Sequence, residues 1–536
     1  MTETQRAELL LRGGHVLTPD GEAQAVAIAG GRIVAVGDDL DGWIGPETEV
    51  LELEGKLVTP GLHDAHTHLL GGALTRDQLD LTRCWEDEHL AEAVAARIAE
   101  RGPEAWVLGR GWDADKFPGG EWPSLASLDA VSPDTPVLLR RRDGHAAIAN
   151  TKALQLAGIG PETPDPEGGE LLRDDEGNLT GILLEDPALE LVSVHVERPS
   201  AERQEALLAV AVRELSAYGI TSVDDDPSFD DRLEPAARYT ALYERGELPL
   251  RVRIWRKLGR DLDALRAEEQ ALTAPRERID YGLLKGYLDG SLGSRTALML
   301  EPYHDAGTYG VQVTPTEVLQ ERALAAHRAG YQVGLHAIGD HAARLALEIY
   351  EAIAEAEGPD AVRERRHRIE HAQFFAPSDV YRCGDLGAVA SVQPIHLAED
   401  MQIAARRLGS ERAERGYPWR SLMAAGAPLA LGTDYPVEEL DPWQGIHCAV
   451  HRTSPRDPGA DPLGIDERLT LREALVAYTH GAAFAAHLEH ERGSIAPGQL
   501  ADLAVFDPNP LRQHPAFMHE TACVLTILGG EVVHRA

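Results

Sequence analysis

The chain has 536 residues, 43% of them hydrophobic, which is enough for one large globular domain with a smaller one beside it. Its 88 acidic residues against 51 basic ones give a net charge of -37, which repels nucleic acid and anionic membranes and excludes both as expected partners. The chain begins without a basic segment followed by an apolar one, and no apolar run approaches the ~18 residues of a membrane span, so we expect a cytoplasmic protein.

The two ends of the chain carry the same pattern. Residues 25–38, AVAIAGGRIVAVGD, and residues 523–536, CVLTILGGEVVHRA, each predict a strand, a Gly-Gly turn and a second strand. Because an isolated hairpin is only marginally stable, we expect both ends to join in one small β-domain, a β-sandwich of residues 1–57 and 493–536. Residues 58–492 then form an insertion between its two halves.

This central part alternates apolar strand candidates with amphipathic helix candidates, the pattern of a parallel sheet with helical crossovers. Eight strands are predicted: Leu57–Ala65, Ile220–Asp224, Leu250–Arg256, Gly282–Leu288, Tyr331–Ala337, Arg366–His371, Ala388–Gln393 and Pro428–Thr433. Eight strand-helix units predict an α/β fold, a (β/α)8 TIM-like barrel, with a doubly wound open sheet as the alternative. Roughly 150 residues separate the first two strands, which is too long for a loop, so we expect an inserted subdomain at residues 75–200.

A cluster of histidines follows the first predicted strand, in VTPGLHDAHTHLLGG at residues 58–72. Residues i and i+2 of a strand share a face, so His66 and His68 lie side by side and can bind one metal ion. Taken alone, the pair also fits two surface histidines in a loop. The four cysteines are widely spaced without a C-x-x-C pair, and they indicate neither a disulfide framework nor a zinc knuckle.

Three further ligand candidates stand at the ends of other predicted strands. His336 follows YQVGL, His371 follows RHRIE, and Asp434 follows APLALGT. Each alone also fits a structural role, such as a hydrogen-bonded core histidine or a helix cap. Because barrel enzymes keep their chemistry at the carboxyl ends of the strands, the four histidines and the aspartate together predict a metal site on that rim.

An ordered set of motifs spans nearly the whole chain: PGLHDAHTHL, RRDGHAAIANTKAL, LLKGYLDGSLGSRTA, GLHAIGD, RIEHAQ, LGTDYPV and GSIAPGQLADLAVFD. This set resembles the amidohydrolase superfamily, and within it amidohydrolase family 3, which includes N-substituted formamide deformylases. The resemblance implies a metal-bearing (β/α)8 barrel with a small β-domain made from both termini. It also implies a metal-dependent amidohydrolase acting on carbon-nitrogen bonds other than peptide bonds, with one or two divalent ions, zinc being the expected metal.

Carried over by position, the resemblance assigns four histidines as metal ligands and one aspartate as a ligand that also moves protons: His66, His68, His336, His371 and Asp434. Lys285, in LLKGYLDG, stands where many relatives carry a lysine carboxylated on its amine, an N6-carboxylysine that bridges two metal ions. A lysine paired with a nearby carboxylate such as Asp289 is the alternative. The segment ITSVDDDP departs from the family pattern, because relatives often have a histidine at the position of Asp224.

The chemistry follows from these ligands. A zinc-like ion lowers the pKa of bound water from ~15.7 toward ~7, and the resulting hydroxide attacks an sp² carbon. Asp434 would take the hydroxide proton and pass it to the departing nitrogen. We therefore expect hydrolysis of an amide-type C–N bond in a small-molecule substrate, and a homodimer is left open. The alternative reaction is hydrolytic deamination of an amidine or an aminated heterocycle, and the alternative class is a non-catalytic barrel scaffold.

Four more residues are candidates for substrate binding. His145 in RRDGHAAIAN, Arg295 in DGSLGSR and His396 in VQPIHLAED lie in loops expected near the barrel mouth, where they could bind a carbonyl or carboxylate. Trp112, in GRGWDADKF, is a candidate for the pocket wall. Each also fits a structural role, and for Trp112 that role is the core of the inserted subdomain.

Overall fold

The computed structural model describes residues 6–227, 231–457 and 459–536, so residues 1–5 of the predicted β-domain lie outside it. Within these ranges the strands in chain order are β1 Leu9–Arg12, β2 His15–Thr18, β3 Gly21–Ala23, β4 Ala25–Ala29, β5 Arg32–Gly37, β6 Glu49–Glu52, β7 Leu57–Pro60, β8 Leu62–Thr67, β9 Leu79–Asp80, β10 Val107–Trp112, β11 Val137–Arg141, β12 Ala146–Ala149, β13 Glu170–Arg173, β14 Leu179–Leu184, β15 Ile220–Asp225, β16 Arg251–Lys257, β17 Ile279–Tyr287, β18 Val333–Ala337, β19 Arg368–His371, β20 Val389–Val392, β21 Leu429–Leu431, β22 Leu503–Asp507, β23 Ala522–Leu528 and β24 Glu531–Arg535.

The α-helices in the same ranges are α1 Leu69–Thr75, α2 Asp87–Arg101, α3 Leu125–Val131, α4 Thr151–Leu156, α5 Asp186–Ser193, α6 Ala201–Ala217, α7 Pro235–Glu244, α8 Leu262–Ala271, α9 Thr316–Arg328, α10 Asp340–Glu357, α11 Ala361–Arg365, α12 Pro377–Leu386, α13 Leu397–Leu408, α14 Ser410–Glu414, α15 Trp419–Ala424, α16 Pro442–His451, α17 Leu471–Val476 and α18 Ala482–Ala485. No helix among the described residues combines the length and the apolar character that crossing a membrane requires.

An eight-stranded sheet forms the centre of the fold. Its strands follow the order β8, β15, β16, β17, β18, β19, β20 and β21, and each adjacent pair is parallel. Hydrogen bonds join the two edge strands: the Asp64 carboxylate accepts from the Thr433 amide at 3.0 Å and from its hydroxyl at 2.5 Å, and the Asp434 amide donates to the His66 carbonyl at 2.8 Å. The sheet is therefore a TIM-like barrel, and the open-sheet alternative is wrong.

The first predicted strand, Leu57–Ala65, is wrong because it joins two strands of different sheets. β7 pairs with β2 and β22, whereas β8 pairs with β15 in the barrel. Gly61 separates them, and a Cβ atom there would lie 2.2 Å from Oγ1 of Thr221. The chain thus passes between the sheets at a point with no room for a side chain, which an apolar run alone does not reveal.

The two predicted terminal hairpins are present as β4–β5 and β23–β24. They lie in separate sheets, a four-stranded one of order β5-β4-β1-β6 and a six-stranded one of order β24-β23-β22-β7-β2-β3. Apolar side chains of both sheets form one cluster, which includes Ile28 and Ile33 from the first sheet and Val505 and Ile527 from the second. The two chain ends share a core, and the exact domain boundaries remain predictions.

Between β8 and β15 the chain forms a separate six-stranded sheet of order β13-β14-β12-β11-β10-β9. Alternate residues of β11 and β12 enter different apolar clusters, Leu139 and Ile148 in one and Leu138 and Ala147 in the other. The two-residue period of a strand produces this separation, because successive side chains point to opposite faces. The boundaries of the insertion at 75 and 200 stay a prediction.

Candidate metal centre

The predicted ligands lie together at the carboxyl ends of the barrel strands. His66 belongs to β8 and His68 follows it, His336 belongs to β18, His371 ends β19, and Asp434 follows β21; all five are buried. The ring centroids of His66 and His371 are 5.0 Å apart, and those of His336 and His371 are 4.4 Å apart. Side chains from four strands therefore meet in one small volume.

Three of these histidines use Nδ1 for a hydrogen bond within the protein. The acceptors are Glu370 Oε2 at 2.8 Å for His66, the Asp226 carbonyl oxygen at 2.7 Å for His68, and Asp289 Oδ1 at 3.0 Å for His336. A ring that donates from Nδ1 carries its lone pair on Nε2, which is the form that binds a metal ion. Within the described part of the chain, Nε2 of His336 is buried without a hydrogen-bond partner.

Asp434 lies between the histidines. Its Oδ1 is 3.1 Å from His68 Nε2 and 3.7 Å from His66 Nε2, and its Oδ2 is 3.3 Å from His396 Nε2. Asp434 and His371 both have left-handed backbone, with φ of 58° and 73°, a conformation uncommon for residues other than glycine. Strain of this kind collects at functional sites, and here it occurs at two of the predicted ligands.

Burial also sets the charge state of the centre. Desolvation holds the pKa of His336 and His371 well below the usual value, so both rings are neutral at pH 7. Burial raises the pKa of Asp434, but the neighbouring histidines, His66 first among them, more than offset it and hold this pKa well below its usual range. His336 and His371 are thus neutral imidazoles beside the Asp434 carboxylate. Burial alone would lower the pKa of His68, but its hydrogen bond to Asp434 more than offsets this and raises that pKa above its usual value.

Lys285 reaches the same centre from β17. Its Nζ lies 3.3 Å from His66 Nε2 and 3.7 Å from Asp226 Oδ2. The alternative partner expected from sequence, Asp289, instead accepts from His336 Nδ1 and from backbone N–H groups. The carboxylate beside this lysine is therefore Asp226, and the expected pairing with Asp289 is wrong.

Two groups of described residues have ligand atoms within 4.8 Å of one another: His66, His68 and Asp226 in the first, and His371, His396 and Asp434 in the second. Asp226 was not among the predicted ligands. It is the last of three consecutive aspartates at the end of β15, and sequence alone did not show which of them reaches the rim. Glu370, the hydrogen-bond partner of His66, was missed as well, although it directly precedes His371 at the same strand end.

A cavity of about 240 Å³ adjoins the centre. The barrel contributes His371, His396 and Asp434 to its wall, and the insertion contributes His145 among others. His145 Nδ1 lies 2.8 Å from Glu185 Oε2. Burial alone would lower the pKa of His145, but the Glu185 carboxylate more than offsets this and raises it to about 9. His145 is therefore a cation on the cavity wall at neutral pH.

Ion pairs hold the insertion over the barrel around this cavity. Arg142 of the insertion lies 3.0 Å from Glu399 and 2.8 Å from Glu438, which are both barrel residues. The other lysine and arginine side chains of the cavity wall are paired too: Lys116 with Glu399, Arg141 with Asp113, Asp115 and Asp143, and Arg406 with Asp115. Each of these cations already has a carboxylate partner.

The other two predicted substrate residues lie elsewhere. Trp112 is 0% exposed, its indole N–H donates to the Leu139 carbonyl at 2.9 Å, and its ring packs edge-on against Trp122 in the insertion core. Arg295 pairs with Asp305 at 2.9 Å. Neither is among the described residues that line the cavity.

Comparison with known proteins gives concordant matches. The model of a family described as the amidohydrolase family matches residues 49–534. The chain is 40% identical over 525 residues to Protein LONG AFTER FAR-RED 3 of Arabidopsis thaliana, covering 94% of this chain and 88% of that protein. It is 30% identical to N-substituted formamide deformylase of Arthrobacter pascens over 98% of both chains. A crystal structure of an uncharacterized metal-dependent hydrolase from Pyrococcus horikoshii matches with a TM-score of 0.72 and 28% identity, over 94% of this chain and 98% of that one.

Proposed function

The chain belongs to the amidohydrolase family, and from this premise we propose that it cleaves an amide-type C–N bond of a small molecule. Membership makes it a metal-dependent hydrolase of carbon-nitrogen bonds. The proposal adds the bond type, the metal and the residue roles. It rests above all on one observation, the four buried histidines and Asp434 that meet at the barrel rim beside a cavity.

The donor atoms fit a divalent ion, and zinc in particular. Imidazole nitrogens with a carboxylate oxygen are the ligands that zinc prefers. Because His68 donates from Nδ1, its Nε2 lies 3.1 Å from Oδ1 of Asp434, and the hydrogen bond between them raises the pKa of His68. A metal ion bound by both atoms would replace the shared proton. The His66 and His336 rings donate hydrogen bonds to Glu370 and Asp289, which orient the rings, as is usual around metal sites.

Each protein residue at the centre would have a separate role in the reaction. A divalent ion at this site supplies Lewis acidity, which polarises a carbonyl group and lowers the pKa of a water molecule from ~15.7 to ~7. Asp434, ionised at neutral pH, would accept the proton of that water and transfer it to the departing nitrogen. His145, held as a cation by Glu185, would donate a hydrogen bond to the substrate carbonyl oxygen as negative charge develops there.

Lys285 is the proposed position of the N6-carboxylysine, which would bridge two ions. Only five of the 51 lysine and arginine residues are lysine, so arginine would be the expected choice if the position needed only positive charge. Lys285 is buried, and an amine, unlike a guanidinium, can add carbon dioxide and become an anionic ligand.

Removing the Lys285 amine tests this role. We expect Lys285→Ala to lose the second ion, and a short carboxylic acid in the medium to restore part of the activity by occupying the vacated position. Lys285→Arg serves as the control, because it keeps a cation that cannot be carboxylated. Activity of Lys285→Arg equal to that of the parent would rule out the bridging role.

The cavity suggests an uncharged substrate. Its lysine and arginine side chains are already paired with carboxylates, and the cationic His145 is held by Glu185, so each of these cations already has a carboxylate partner. Its volume of about 240 Å³ limits the substrate to a small molecule. We therefore favour neutral N-acyl amines, formamides among them, over N-acyl amino acids.

A substrate panel tests the proposed function. Zinc-loaded protein would be assayed against N-acyl amines, formamides, cyclic amides and aminated heterocycles, with release of amine, acid and ammonia measured separately. Asp434→Asn is the control for background hydrolysis. We expect turnover of neutral amides, with matched substrates that carry a carboxylate turned over more slowly. Ammonia release from aminated heterocycles without amide turnover would favour the deaminase alternative and contradict the proposal.

A further inference from the structure

We infer that Asp226 is a direct ligand of the ion held by His66 and His68. The inference rests on the proposed function only in requiring a divalent ion at the barrel rim. It gives that ion a third protein ligand that does not depend on carboxylation of Lys285. The chemistry of this ligand set and the position of Asp226 on the strand carry the argument.

The strand geometry separates three consecutive aspartates. Asp225 lies on one face, where it accepts hydrogen bonds from the Leu69 amide at 2.6 Å and from the Tyr239 hydroxyl at 2.7 Å. Asp224 and Asp226 share the other face, because successive side chains of a strand alternate. Asp224 is neutralised inside the barrel, with Arg368 at 2.7 Å. Two residues further along the strand, Asp226 reaches the rim.

Backbone hydrogen bonds fix Asp226 beside the two histidines. Its amide donates to the carbonyl of Thr67, the residue between His66 and His68, at 2.7 Å. Its own carbonyl accepts from His68 Nδ1 at 2.7 Å. Asp226 is thus paired across the sheet with the segment that carries both histidines, and its position does not depend on a long side chain.

The side chains complete the arrangement. One ligand atom each of His66, His68 and Asp226 lies within 4.8 Å of the other two, and all three residues are at most 6% exposed. The Tyr287 hydroxyl donates to Asp226 Oδ2 at 3.0 Å and orients the carboxylate. Two histidines and one carboxylate form a known ligand set for catalytic zinc, one that keeps the fourth position open for water or substrate.

Pairing with Lys285 explains the position of the Asp226 carboxylate less well than metal binding does. Charge-assisted N–H···O bonds are commonly about 2.7–2.9 Å long. The Lys285 amine lies 3.7 Å from Asp226 Oδ2 and closer, at 3.3 Å, to His66 Nε2. A carboxylate placed only to neutralise this lysine would be in direct contact with it. The ligand atoms of His66, His68 and Asp226, all within 4.8 Å of one another, instead fit a shared ion.

Metal binding by matched variants tests the assignment. Asp226→Ala removes the proposed ligand, Asp226→Asn keeps an oxygen but removes its charge, and Lys285→Met removes only the amine. Zinc content after dialysis, zinc affinity from chelator competition and the visible spectrum of the cobalt-loaded protein are the readouts. We expect Asp226→Ala to bind one ion at least about 100-fold more weakly than the parent, with an altered cobalt spectrum, because losing even a residue that supports a ligand costs 10–100-fold. The loss in Asp226→Asn should be smaller, because an uncharged oxygen ligand remains. Lys285→Met should retain this ion.

Several results would overturn the assignment. Parent-like zinc affinity and cobalt spectrum in Asp226→Ala would remove Asp226 from the ligand set. The proposed function expects Lys285→Met to lose the other ion only, so loss of both ions in this variant would reduce Asp226 to a partner of the lysine. A crystal structure of the zinc-loaded parent gives a test that does not depend on how the variants fold. We expect an Asp226 oxygen about 2.0–2.2 Å from the zinc ion. An Asp226 carboxylate beyond hydrogen-bonding distance of the zinc ion would contradict the assignment. A parent protein that binds no divalent ion would overturn the proposed function itself.

Discussion

Two buried histidines at opposite ends of β19 show how differently this barrel uses the same side chain. His367 precedes the strand and His371 ends it, and both are at most 4% exposed. His367 uses both ring nitrogens within the protein: Nδ1 accepts from the Val333 amide at 2.9 Å, and Nε2 lies 3.0 Å from His327 Nδ1. Nδ1 of His371 is buried without a hydrogen-bond partner among the described residues.

The difference teaches that burial alone does not identify a metal histidine. At the amino end of the strand, neighbouring protein groups occupy both nitrogens, and the ring serves the structure. At the carboxyl end, a buried nitrogen faces the centre that His336 and Asp434 share. A structural histidine is therefore distinguished from a candidate ligand by two features: the end of the strand at which it lies, and whether protein groups occupy both of its ring nitrogens.

The largest effect is expected where the carboxyl-end residues perform chemistry. Asp434→Asn keeps an oxygen ligand but removes the carboxylate that accepts the proton, so kcat should fall about 10²–10⁴-fold while most of the metal is retained. Steady-state kinetics on a substrate found with the panel, together with elemental analysis, would measure both quantities. Near-normal turnover would mean that another group acts as the base.

A matched pair of phenylalanine variants tests the comparison directly. His371→Phe should weaken binding of one ion by about 100-fold or more, because a ligand is lost while the ring volume is kept. His367→Phe should leave metal content unchanged, but it leaves the Val333 amide without its acceptor, and the free energy of unfolding should fall by about 1–3 kcal/mol. Elemental analysis and denaturant unfolding would distinguish them. Metal loss in His367→Phe would contradict the assignment of a structural role to the histidine at the amino end of β19.

A smaller effect is expected from His367, at the amino end of β19, on the free energy of unfolding at low pH. Burial, with His327 nearby, lowers the pKa of His367 to about 3, against about 6.5 in the unfolded chain. The unfolded chain therefore takes up a proton below pH 6.5 that the folded protein does not, and the contribution of His367 to the free energy of unfolding is lost as pH falls from 6.5 toward 3.

Denaturant unfolding at pH 7 and pH 4.5, with chelator present in both, isolates this contribution. The parent should lose more stability between these two values than His367→Phe, which has no group to titrate there. Equal losses in both proteins would show that the proton is taken up elsewhere.

The smallest effect is expected at a predicted substrate residue that lies away from the cavity. Arg295 is partly exposed and paired with Asp305, and such pairs contribute about 0–1 kcal/mol. Arg295→Ala should leave kcat and KM within about twofold of the parent. A large rise in KM would place this arginine at the substrate after all.

The barrel and most of its rim residues could be predicted because His66, His336 and Asp434 come at the ends of apolar runs of strand length. His371 follows the mostly charged segment RHRIE and was indicated by the RIEHAQ motif. Other features depend on contacts that no local pattern encodes. The break at Gly61 reflects a close approach to Thr221, and the choice of Asp226 among three aspartates depends on register shifts where β15 pairs with β8. For Trp112 the sequence left both the pocket wall and the insertion core open, and packing inside the insertion decides for the core.

Metal content measured together with turnover tests the central claim most directly. The protein would be stripped with a chelator, titrated with zinc, and assayed at each step on a substrate from the panel. We predict that stripped protein is inactive and that activity returns in proportion to bound zinc, reaching its maximum at between one and two ions per chain. Full hydrolytic activity in protein shown by elemental analysis to be free of metal would contradict the account.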